Sequence, residues 1–171
     1  MTIDAVLTLF EYDAWATRQL LEGVCRLTPQ QFTQEFNGAT TSVRQQFVHL
    51  ISVQDRYRAR LMNEEPSDVQ SENFATPADV AAYAEAVHKR MSAFLSQLAE
   101  TNLTRVTTQA TRRGIFRATV GEVLYHMINH STYHRGQIAL LLKLHGFDFP
   151  DTDFIIWLNR ASGELNIARA V

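Results

Sequence analysis

Three histidines, His126, His130 and His134, stand four residues apart in the stretch Thr119 to Gly146, TVGEVLYHMINHSTYHRGQIALLLKLHG. A spacing of four advances a side chain about 40° around a helix axis and about 6 Å along it. His130 and His134 can therefore aim two imidazoles at one point, which is how a helix offers two ligands to a metal ion. The same spacing also suits two helix-face histidines hydrogen-bonded to neighbours or to water. His126 lies about 80° around from His134, and three successive turns of a straight helix converge poorly on one ion. It reads as a supporting residue or as pocket lining. A third ligand must come from another element, and His49 in QFVHLISVQDRY is the candidate. The run His130-Ser131-Thr132-Tyr133-His134 has Ser where a zincin helix needs the Glu that serves as general base, so zincin-type proteolysis is excluded. No Gly-rich phosphate loop and no nucleophile elbow occurs.

These residues need helices to hold them, and the pattern supplies four long ones. Ile3, Val6, Leu7, Phe10, Ala14, Leu21 and Val24 recur at helical spacing over residues 3–26. Thr28-Pro29 stops that helix and starts a short turn, with Phe32 and Phe36 folding back on the core. After a loop at 38–41, Ser42 and Gln45 open a second long helix that ends near Met62 or Asn63. Its stripe is Val43, Phe47, Leu50, Ile51, Gln54 and Leu61, with His49 on the border. Residues 63–75 form a connection. Thr76, Pro77 and Asp79 open a third helix reaching about Glu100, with Val80, Tyr83, Val87, Met91, Phe94, Leu95 and Leu98 on its apolar face. The Thr- and Val-rich 101–118 segment fits a small hairpin about a Gly-containing turn. Thr119 and Glu122 then cap the histidine helix, which Lys143, His145 and Gly146 terminate. Phe154, Ile155, Trp157 and Leu158 pack back a last short helix. The fold class is all-α, a four-helix bundle with a hairpin-like insertion between the third and fourth long helices, in one domain spanning 1–171.

Composition removes several functions. The chain of 171 residues is 46% hydrophobic and 20% charged, with formal net charge −2, so it lacks the basic face that nucleic-acid binding requires. Arg112, Arg113 and Arg117 read as a solvated loop. Cys25, the sole cysteine, rules out an intramolecular disulfide and a cysteine zinc cage, and reads as a small buried hydrophobe. The N-terminus has no basic region, and IALLLKLHG is too short to span a bilayer, so a cytoplasmic location without membrane contact is expected. His88 reads as a satisfied histidine at the edge of the core and His145 as a helix-end cation. Ser131 and Gly136 flank the histidine pair and leave room. Gly136 costs about 1 kcal/mol inside a helix, and close helix packing is the expected compensation.

The chain resembles the DinB-like family of small metal-binding four-helix bundles. YDAWATRQLL is similar to the family's Y-N-x-W-A-N-x-x-L, with Asp13 where Asn is usual. HLISVQDRYRARL is similar to H-L-x-x-x-D-x-x-W-x-x-R-L, with Tyr57 at the Trp position, and NHSTYHRGQ matches N-H-x-T-x-H-R-G-Q. The tail GFDFPDTDFIIWL fits as well. The resemblance implies an up-down-down-up bundle, a homodimer, and a divalent metal held by His49, His130 and His134.

Three neutral imidazoles leave the full charge on such an ion. With a fourth position open, a water or thiol bound there is acidified. Imidazole suits zinc, nickel, copper and iron, and zinc or nickel is expected. The resemblance points to transferases that join a low-molecular-weight thiol to an electrophile, and also to hydrolases. Tyr12, Trp15, Arg56, Tyr57 and Arg135 are candidates to line the pocket, each equally suited to packing or an ion pair. Two readings stay open: a metal-dependent enzyme of the thiol S-transferase type, or a non-catalytic metal-binding or stress-response protein.

Overall fold

The computed structural model describes residues 2–36, 41–111 and 114–161. Four long helices make the bundle: α1 (Ile3–Val24), α3 (Val43–Leu61), α4 (Pro77–Ser96) and α5 (Val120–Leu144). Each of the last three begins with a reciprocal capping box, Ser42 with Gln45, Thr76 with Asp79 and Thr119 with Glu122. In each box the cap hydroxyl accepts from the third helical N–H and the third side chain accepts from the cap N–H, so two otherwise unpaired donors are satisfied. The short α2 (Pro29–Thr33) starts on the same device at Thr28 and Gln31. It seats fully buried Phe32, with Phe36 packed against the core. At the far end of α5, Gly146 adopts φ +80°, and the Phe147 N–H reaches the Leu142 carbonyl, closing the helix as a glycine terminus does.

Chain direction follows from which residues meet. Asp13 and Gly23 of α1 lie against Arg135 and Leu142 of α5, so these two helices are parallel. Gln46, Gln54 and Tyr57 of α3 meet His134, Ser131 and His126 of α5, so that pair is antiparallel. Ile3 and Arg18 of α1 face Glu100 and Glu85, so α4 also runs against α1. The bundle is up-down-down-up. Parallel α3 and α4 require the 62–76 connection to travel back along the bundle, and buried Phe74, its ring tilted against that of Tyr83 at 5.1 Å, pins it. Asp55 of α3 then pairs with Arg90 of α4 at 2.9 Å.

The insertion between α4 and α5 is an antiparallel hairpin, β1 (Val106–Thr111) and β2 (Gly114–Thr119), with Val106 opposite Thr119 and Thr111 opposite Gly114. A 3-10 turn over Glu100–Thr104 precedes it, so the third long helix stops at Ser96, short of the expected Glu100. Arg112 and Arg113 of the anticipated basic loop lie outside the described residues, as do 38–40 of the loop before α3. The final α6 (Phe154–Ala161) packs through Phe154 and Trp157, whose rings lie 5.1 and 6.1 Å from that of Tyr12.

Some expectations fail for a shared reason: a side chain's type does not fix its angle around the axis. Cys25 is exposed, because it caps the end of α1 and turns away from buried Val24 and Leu27. Ile155 and Leu158 of α6 are 59% and 37% exposed, on the side away from Tyr12. Among the described residues, Gly136 has no atom within 4 Å of a Cβ placed on it, so none of them offsets its helix cost by close packing. Ser131 is fully buried and serves as a hydrogen-bond acceptor rather than a spacer.

Candidate metal centre

Because α3 runs against α5, residue 49 comes level with residues 130 and 134. The ring centroids of His49 lie 5.2 Å from His130 and 4.6 Å from His134, and those of His130 and His134 lie 4.3 Å apart. One ring nitrogen of each falls within 4.8 Å of the others. Imidazoles from two helices thus converge on a single point, forming a site able to coordinate a metal ion. Among the described residues no fourth His, Cys, Asp or Glu joins this group. His49 is exposed and the other two are half-buried, so the cluster opens to solvent.

The donor set is oriented for a cation. The Nδ1–H of His134 donates to Oε1 of Gln46 at 2.7 Å. An amide oxygen only accepts, so His134 must carry its proton on Nδ1 and present a bare Nε2. Gln46 is itself held by donating to Thr41 Oγ1 at 3.1 Å. Nε2 of His130 stands 3.1 Å from Nε2 of His134, a spacing at which one proton lies between them. A cation entering the site replaces that proton.

Burial, followed by the neighbouring charges of His134, His49 and His126, pushes the His130 pKa down to about 3. Burial also lowers that of His134. At neutral pH these rings are uncharged, the state in which imidazole binds metals. An unfolded His130 would take up a proton near pH 6.5, the ordinary value for histidine. Below that pH the unfolded chain holds a proton that the metal-free native state refuses. Stability of the metal-free protein should therefore be constant above about pH 6.5 and fall as pH drops toward about 3. Urea midpoints measured across this window should slope in wild type and slope less steeply in His130→Ala, where the lowered His134 and His88 still contribute.

Gln46 was not signalled by the sequence, though it sits three residues before His49 on the same helix face. Its effect should be measurable. Gln46→Leu should weaken zinc binding about 10–100-fold, as loss of a residue orienting a metal ligand commonly does, with an unchanged helical spectrum. Competition with a chromophoric chelator gives the number.

The remaining sequence candidates are spread over two places. His126 is exposed, its ring 5.7 Å from His130 and edge-on to Tyr57 at 5.4 Å, so both stand beside the cluster. Arg56 lies two turns along α3 from His49, half-buried. Tyr12, Trp15 and Arg135 are elsewhere. Arg135 is 3% exposed and pairs with Asp13, with further bonds to Tyr12 Oη at 3.3 Å and Thr132 Oγ1 at 2.9 Å. Gln54 donates to Asp13 at 2.6 Å and to Ser131 at 2.8 Å, which completes a buried polar network across the bundle centre. Tyr12 Oη donates to the Thr152 carbonyl at 2.9 Å and fastens the C-terminal segment. Trp15 packs 6.3 Å from Tyr12 and under the Arg160 guanidinium.

The comparisons with known proteins agree with this geometry. The chain is 26% identical over 163 residues to the protein DinB of Bacillus subtilis (strain 168), covering 91% of this chain and 94% of that one. It is 25% identical over 150 residues to the uncharacterized protein YrdA of the same organism, with coverages of 87% and 86%. A crystal structure of a DinB-like protein from Bacillus cereus superposes with TM-score 0.73 at 20% identity, over 88% of this chain and 97% of the other. A conserved protein from Enterococcus faecalis gives 0.64 at 17% identity, over 80% and 94%. Both structural likenesses speak to the fold alone. The sequence model of the DinB family matches residues 1–164, nearly the full length that carries the helices and the three histidines, and the chain belongs to that family.

Proposed function

We propose that this protein is a metal-dependent enzyme of the thiol S-transferase type, a single cytoplasmic domain holding zinc or nickel on His49, His130 and His134. One observation carries the reading: three imidazoles converge beside solvent, and no fourth ligand among the described residues closes the set. Structural zinc sites are closed by four protein ligands, whereas catalytic ones keep a position open. A divalent cation held there supplies Lewis acidity, which lowers the pKa of a thiol or water presented to it.

The chain's own residues do the rest. Gln46 fixes His134 so that its Nε2 faces the shared point. His126, exposed beside His130 and with its ring edge-on to Tyr57, takes the proton from the thiol S–H in this reading. The sulfur then forms a bond to an electrophilic carbon, whose leaving group departs with the electron pair and receives the proton from His126. With water in place of the thiol, the same arrangement gives hydrolysis.

The test is to load the protein with zinc or nickel and to screen small thiols against alkyl halides and epoxides, with esters for the hydrolytic route. Thioether formation should require the metal and should fall at least tenfold in His126→Ala, which keeps its metal. Stoichiometric metal without turnover of any pair or ester would contradict the enzyme reading and leave a binding protein.

Self-association belongs to the same proposal. Tyr125, Tyr133 and Leu140 on α5 are each about 60% exposed, and Leu144 is 52% exposed. They fall within about 100° of the helix circumference, and so does Gly136. A second copy packed on this stripe would give Gly136 the close neighbour it lacks among the described residues. Light scattering should return the mass of a homodimer.

A further inference from the structure

The seam between α1 and α4 is open, and a cavity of about 640 Å³ lies along it, within the range of small-molecule sites. Leu7, Phe10, Trp15, Met91, Leu95 and Trp157 give it an apolar wall with three aromatic rings. Its rim carries two acids and two bases, Glu11, Glu85, Arg18 and Lys89, so no net charge selects what enters. Asp13 lines it too, but its carboxylate is already engaged by Arg135 and Gln54. His88 is the exception. It lines the cavity from α4, and both its ring nitrogens are shielded from solvent and lack a hydrogen-bond partner among the described residues. The expectation of a satisfied histidine fails here.

Burial holds the His88 pKa below its usual value, so the ring is neutral at pH 7 and offers one N–H donor and one bare acceptor. Leaving both unmade in a shielded position is costly, and a hydroxyl, which donates and accepts, can meet either need. We propose that this cavity binds a small uncharged aromatic molecule bearing one hydroxyl, a ligand of the phenol class, with the hydroxyl bonded to His88. The site is separate from the histidine cluster, which lies on the α3–α5 seam beyond the Asp13–Gln54–Ser131 network.

Both tryptophans of the chain, Trp15 and Trp157, line the cavity, so intrinsic emission reports its filling. The probes are 2-naphthol and naphthalene, which differ by the hydroxyl alone. Wild type should show saturable quenching by 2-naphthol, with affinity about fivefold or more above that for naphthalene. His88→Leu should erase that preference, and His88→Gln, which keeps a donor and an acceptor, should retain it. Ala14→Phe, which fills the cavity from α1, should weaken both probes at least tenfold and decides the matter if His88→Leu does not fold. Metal-free His130→Ala should bind 2-naphthol as wild type does, which separates this site from the metal centre. The proposal is overturned by absent saturation, by equal affinity for the two probes, by a preference surviving His88→Leu, by a preference lost in His88→Gln, by binding unchanged in Ala14→Phe, or by binding lost in His130→Ala.

Discussion

Replacing His130 by Ala should weaken zinc binding about 100–1,000-fold while the bundle stays folded. The magnitude comes from dividing the roughly 10–16 kcal/mol of a four-ligand zinc site among its ligands, about 2.5–4 kcal/mol each, at about 1.4 kcal/mol per decade. The fold should survive because His130 is only half-buried and takes no part in the buried network around Asp13. His134→Ala should behave alike, and it also strands the Gln46 amide oxygen. Metal content after dialysis, read beside circular dichroism, separates loss of a ligand from loss of structure. A variant that sheds metal because it unfolds would point to a structural site.

The largest effect on stability is expected at Asp13. Its carboxylate, 1% exposed, accepts from Arg135 and Gln54, which are 3% and 2% exposed. Asp13→Ala would leave a guanidinium in the bundle interior without a counter-charge, at a cost of about 3–5 kcal/mol. For a chain of this size that is a fall in Tm of roughly 6–20 °C. Asp13→Asn keeps one carbonyl acceptor and should lose less. Ser131 and Arg135 each adjoin a histidine of the cluster on α5, so Asp13→Ala should also loosen metal binding, by less than His130→Ala does. Thermal melts of the metal-free protein, with zinc titrations at a temperature where all variants are folded, give both quantities.

The capping boxes explain why the helix starts were legible in advance. Thr28, Ser42, Thr76 and Thr119 each stand three residues before a side chain that reaches back, and this local code depends on nothing distant. The pair His130 and His134 was legible because a four-residue interval is a statement about one helix. Placing His49 opposite them required the helix directions, which the connection after α3 permitted without requiring. The polar network was hidden. Asp13 and Gln54 occupy interior positions where a hydrophobicity pattern expects apolar residues, and their partners, Arg135 and Ser131, come from another helix. Gln46 was hidden for the same reason, since its role exists only once α5 lies alongside. His88 carried no spacing signal, and its two unpaired nitrogens emerge only from packing.

The proposed function requires that imidazoles from α3 and α5 share one divalent cation with a coordination position left open, and X-ray absorption at the zinc edge of the loaded protein reads that shell. Three imidazole nitrogens at about 2.0–2.1 Å, with at least one oxygen from solvent, are predicted, and the imidazole count should drop in His49→Ala. A zinc shell completed by four protein ligands, or one whose imidazole scattering does not change when His49 is removed, would contradict it.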